Sequence, residues 1–130
     1  MRERAAGTHR PKNLDLTGIR LPLPGLVSIL HRASGAFLFL ALPWLLWLLE
    51  RSLASRADFD ALREVLAAPL VRLLLLGVLW AFLHHLCAGV RFLALDAHKG
   101  ITLPTARRTS ALVLAVSLAL TALLGALWLC

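Results

Sequence analysis

Apolar residues run almost without a break through three stretches of this chain, about Leu26 to Leu49, about Pro69 to Leu95 and about Thr109 to Cys130. Each reaches the ~20 mostly apolar residues that carry a helix across a bilayer. The pattern predicts an all-α membrane protein, a single integral domain over residues 1–130 with three transmembrane helices behind a basic leader over 1–24. Composition agrees: 59% of the 130 residues are hydrophobic and the mean hydropathy is +0.78, against roughly 45 to 50% apolar residues in ordinary soluble domains.

The first apolar run is followed by Ser52-Leu53-Ala54, a loose likeness to a signal-peptide cleavage site. The run is too long for the ~7 to 15 apolar residues of a signal sequence, and the leader before it is also too long, so it is read as a membrane span. Cys87 and Cys130 form neither a CxxC nor a CxxCH pattern, which leaves no sign of a structural zinc site or of covalent haem attachment.

Charge then sets orientation. The leader carries Arg2, Arg4, Arg10, Lys12 and Arg20, and the second connection carries Lys99, Arg107 and Arg108. The first connection offsets Arg51, Arg56 and Arg63 with Glu50, Asp58, Asp60 and Glu64. Basic residues stay on the cytoplasmic side, which predicts a cytoplasmic N-terminus and a periplasmic C-terminus. The formal charge of +7 is then explained by basic segments beside anionic headgroups, with the lipid bilayer and no nucleic acid as the partner.

Ionisable residues at membrane depth are expensive unless paired or wet, so they carry the chemical information. Ser28, His31, Arg32 and Gly35 fall on one face of the first helix by their i, i+3, i+4, i+7 spacing. On the second, His85, Gly89, Phe92 and Asp96 share one face, while His84, Ala88 and Arg91 line the adjacent one. His85 reads either as interhelical packing glue or as an iron ligand, with Gly89 one turn on leaving room for a flat macrocycle. Adjacent histidines point about 100° apart on a helix, so His84 and His85 cannot face one iron, and spacing alone does not choose between them. Arg32 reads either as a side chain snorkelling to headgroups or, with Ser28 and His31, as a donor to an oxygen-bearing ligand such as a quinone or a haem propionate.

The segments RPKNLDLTGIRLPLPGLVSILHRASG and, further along, HHLCAGVRFLALD closely resemble the cytochrome b subunit of succinate dehydrogenase, one of two membrane anchors of respiratory complex II. The likeness spans nearly the whole chain: the Arg-Pro leader, Ser-x-x-His-Arg-x-[ST]-Gly on helix one and His-x-x-x-Gly-[IV]-Arg on helix two. It implies one b-type haem, shared with a second anchor subunit that supplies the other axial ligand. His85 would be this chain's ligand, with His31, Gly89 and Arg91 close to the haem or its propionates. It implies Ser28 and Arg32 at a ubiquinone site, and no catalytic residue of succinate oxidation in this chain. The implied partners are an iron-sulfur subunit that delivers electrons and a flavoprotein subunit that oxidises succinate, in the inner membrane. Phe92 departs from the pattern, since many members have a histidine there.

Other classes fit less well. A purely structural anchor would not need Ser28, Arg32 and His85 inside the membrane, and a small transporter would need a midspan carboxylate or a broken helix. An anchor of the related fumarate reductase differs in the direction of electron flow, which the sequence does not encode. The third helix has no such motif. Ser117, Thr121 and Gly125 recur every four residues, a small-residue stripe that predicts close helix packing.

Overall fold

A computed structural model describes residues 21–129, so the basic residues Arg2, Arg4, Arg10, Lys12 and Arg20, together with Cys130, lie outside the described residues. Those described form four helices and no strand: α1 (Leu23–Ala54), α2 (Arg56–Ala67), α3 (Pro69–Asp96) and α4 (Leu103–Leu129). Three of them, α1, α3 and α4, are long and apolar enough to cross a membrane.

Helix α1 begins with a proline in its first turn, where the missing N–H has no helical partner to lose. Its 32 residues span ~48 Å at 1.5 Å per residue, longer than the ~30 Å hydrocarbon layer. The span expected to end near Leu49 therefore continues to Ala54. Pro43 sits inside it, which membrane helices tolerate where neighbours satisfy the freed carbonyl.

The first connection holds a helix that its charge pattern did not suggest. Ser55 caps α2, its Oγ accepting from the Asp58 N–H at 3.0 Å and donating to Asp58 Oδ2 at 2.6 Å. The first of these bonds satisfies one of the N–H donors that the helix start leaves bare. Asp58 also pairs with Arg51 of α1 at 3.0 Å, and Arg56 pairs with Asp60 one turn on. Phe59, Leu62 and Leu66 recur along one side of α2, the signature of a helix lying in the membrane interface.

The end of α3 is closed by His98 in the left-handed region (φ 58°). The Lys99 N–H returns to the Ala94 carbonyl at 2.9 Å and the His98 N–H to Leu95 at 2.9 Å, so the last carbonyls are satisfied. Helix α4 then starts at Leu103, ahead of the expected Thr109, and takes Arg107 and Arg108 into its first turns.

Helix α3 packs against both α1 and α4. Val27, Ala88 and Val113, one from each span, form the centre, with Cys87, Phe92 and Leu114 around it. The other buried positions are mostly small: Ser34, Ala81, Ser110 and Ser117. Small residues let membrane helices approach closely, because burying apolar surface gives little driving force in lipid. Ser110, Ser117 and Thr121 hydrogen-bond carbonyls of their own helix, so burying their hydroxyls leaves nothing unsatisfied. Gly125 is the tightest point: a Cβ there would lie 2.6 Å from Leu76 Cδ2 on α3. Gly125→Ala is expected to be tolerated, because only the tip of a flexible side chain must turn. Gly125→Leu must push α4 from α3, at ~1 to 3 kcal/mol, and should lower the yield of assembled complex on native gels without changing the quinone KM of what assembles.

Candidate functional site

The site is built where α1 and α3 meet. The imidazoles of His31 and His85 stack with centroids 4.2 Å apart and planes 11° from parallel. Each ring lies against the glycine that follows the other histidine by one turn. A Cβ on Gly35 would sit 2.8 Å from His85 Cε1, and one on Gly89 would sit 3.7 Å from His31 Nε2. Glycine at 35 is therefore a steric requirement, since any side chain would displace the His85 ring.

Hydrogen bonds fix the tautomer of His85. Its Nδ1 is 3.0 Å from the His31 carbonyl, and a carbonyl only accepts, so Nδ1 carries the proton and donates. The Ser34 hydroxyl donates to the same carbonyl at 3.0 Å and lies 3.4 Å from Nδ1. Nε2 is left with its lone pair. An imidazole anchored through Nδ1–H to a backbone carbonyl is the usual arrangement of a metal-binding histidine. His85 remains half-buried, as does His31. Among the described residues no three His, Cys, Asp or Glu side chains cluster for a metal; what α1 and α3 offer is a single oriented imidazole and its stacked neighbour.

His84 has a different environment. It is fully buried, stacked on Trp80 at 5.3 Å, and neither ring nitrogen has a hydrogen-bond partner among the described residues.

Arg91 turns towards α4. It is buried, and its Nε donates to Thr109 Oγ1 at 3.0 Å and its Nη2 to the Ala106 carbonyl at 3.4 Å, while the guanidinium carbon lies 5.4 Å from the Phe92 ring centroid. Phe92 in turn tilts onto His31 at 5.0 Å, filling with an aromatic the place where a histidine was expected from the family pattern. Ser28 is half-buried and Arg32 exposed in the first turns of α1. Among the described residues neither hydrogen-bonds to the histidine pair, so the structure brings His31, His85, Gly35 and Gly89 together and leaves Ser28 and Arg32 on the rim.

Two contributors were not singled out from sequence. Ser34 occupies the [ST] position of the quoted helix-one motif, and that position was the available signal. Thr109 had none, because its contact with Arg91 depends on how α4 lies against α3.

Three helices long and apolar enough to cross a membrane, two of them bringing a histidine pair together, define the class as an integral membrane protein. The succinate dehydrogenase/fumarate reductase transmembrane subunit family matches residues 7–124. A succinate dehydrogenase cytochrome b556 subunit of Coxiella burnetii is 39% identical over 109 residues, 83% of this chain and 87% of that protein. Those of Paracoccus denitrificans and Rickettsia felis are each 32% identical over 115 residues, 88% of this chain and 88% and 90% of theirs. The chain belongs to this family, as a membrane-anchor cytochrome b subunit, consistent with a multi-pass protein of the bacterial inner membrane.

Proposed function

We propose that the chain is the haem- and quinone-binding anchor of a succinate:quinone oxidoreductase, in which His85 would be this chain's ligand to one b-type haem. The observation that carries this is the His85 Nδ1 to His31 carbonyl bond at 3.0 Å, which turns Nε2 into the free donor. The residues fit the group: Gly35 gives the ring its place, Ser34 steadies it, and the half-exposed ring suits a site completed by a histidine of a second anchor subunit. When bound, the haem supplies a one-electron redox centre.

His31, stacked on His85, restricts its rotation and presents its own ring edge towards Gly89. Arg91 is held by Thr109 and Ala106, with Phe92 between its guanidinium and His31, and a charge fixed there would favour a carboxylate of the bound haem. Ser28 and Arg32 serve as hydroxyl and guanidinium donors to a ubiquinone carbonyl near the membrane surface, where donors aimed at an oxygen favour the charge it gains on reduction. By its basic leader this surface is the cytoplasmic one, the side on which an iron-sulfur subunit would dock and a flavoprotein subunit would oxidise succinate. The relatives carry the name succinate dehydrogenase, which favours that direction over fumarate reduction. A reduced-minus-oxidised visible spectrum of the purified complex tests the reading: a b-type band is expected, and a featureless spectrum from the assembled complex overturns it.

A further inference from the structure

At the opposite end of the bundle from Ser28 and Arg32, the first turn of α3, helix α2 and the end of α4 enclose a groove. Its cavity is about 420 Å³, walled by Phe59, Leu62, Leu66 and Ala67 of α2 and by Trp128, with Arg63 and Arg72 also lining it. That volume lies within the ~300 to 1,000 Å³ of small-ligand sites. We infer that this groove binds the headgroup of an anionic glycerophospholipid, its phosphate held between Arg63 and Arg72 and its chains leaving along the apolar wall.

Charge supports this. The acidic groups of α2 that form ion pairs are taken by other arginines, Asp58 by Arg51 and Asp60 by Arg56. Among the described residues Arg63 and Arg72 form no salt bridge. Arg72 is half-buried in the first turn of α3, its N–H closing the first helical bond to the Ala68 carbonyl at 3.0 Å. A helix N-terminus carries partial positive charge and repels a cation there. Two arginines and a helix start thus converge on one groove, a field that an anion relieves. Position selects the lipid over a soluble anion. The groove lies where the membrane spans end, beside an amphipathic helix and a tryptophan, which mark the headgroup level, and five of its eight lining side chains are apolar.

The test uses the complete complex with its partner subunits, stripped of lipid in detergent and re-supplied with phosphatidylglycerol or phosphatidylcholine of identical chains. Native mass spectrometry should show phosphatidylglycerol retained at least ~10-fold better, since one hydrogen bond to a charged group is worth about that factor. Excess inorganic phosphate should not displace it, and R63Q/R72Q should remove the preference. A photoactivatable phosphatidylglycerol should crosslink to the wild-type segment Arg56–Arg72, an observation that does not depend on the variant assembling. Equal retention of the two lipids, displacement by phosphate, an unchanged preference in R63Q/R72Q, or crosslinks confined to other segments or subunits would each overturn the assignment.

Discussion

His85→Ala, expressed with its partner subunits, is expected to lose nearly all of the b-type absorbance, whereas His84→Leu keeps it. Removing His85 deletes an imidazole whose Nδ1 is tied to the His31 carbonyl, leaving Nε2 with its lone pair. Removing His84 deletes a fully buried ring whose two nitrogens have no partner among the described residues. A buried polar group without a hydrogen bond costs ~1 to 3 kcal/mol, so leucine, of similar bulk, should leave the stability of the complex unchanged or raise it. Haem content per complex and the thermal midpoint of assembly check the two halves separately. Normal haem in His85→Ala, or loss of haem in a well-assembled His84→Leu complex, would show that the ligand had been assigned to the wrong histidine. Ser34→Ala gives an intermediate case. The His85 bond to the backbone remains but its second contact goes, so haem is expected to be retained with an altered spectrum or potential.

The three spans were legible because a membrane makes hydrophobicity nearly sufficient: twenty apolar residues have few other stable places. Helix α2 was not, because its length is short and its apolar positions alternate with five charges. The decisive signal was Ser55 three residues before Asp58, a cap rather than a hydropathy feature. The pairing of His31 with His85 was half legible. Spacing placed each histidine one turn before a glycine on its own helix. That each glycine receives the other helix's ring is a tertiary fact, set by how α1 crosses α3. The choice between His84 and His85 shows the same boundary. Adjacent residues differ only in direction, and direction has meaning once Val27, Ala88 and Val113 define where the bundle's interior lies. Arg91 was grouped with the haem environment by family pattern, and its contacts to Thr109 and Ala106 could not be read from a helix whose start was placed at Thr109 itself.

Arg32→Leu is expected to depress quinone reduction by ~10- to 150-fold, as loss of a charged hydrogen bond of ~1.5 to 3 kcal/mol implies. Ser28→Ala should depress it less, by ~2- to 12-fold, since a neutral bond is worth ~0.5 to 1.5 kcal/mol. Succinate oxidation with a soluble dye that takes electrons before the membrane should stay near normal in both, which separates a quinone site from a failure of assembly. The structure places Arg32 on the exposed side of α1, one turn from half-buried Ser28, and exposure of that kind also suits an arginine that only reaches for headgroups. Arg32→Lys distinguishes the two roles. An ammonium reaches headgroups as well as a guanidinium does, so a snorkelling residue would tolerate the change. A planar fork that shares a carbonyl oxygen with a serine would not, because lysine is a point charge without that geometry. Quinone reductase activity several-fold below wild type in an assembled Arg32→Lys complex is the expected result, and full activity would remove Arg32 from the quinone site.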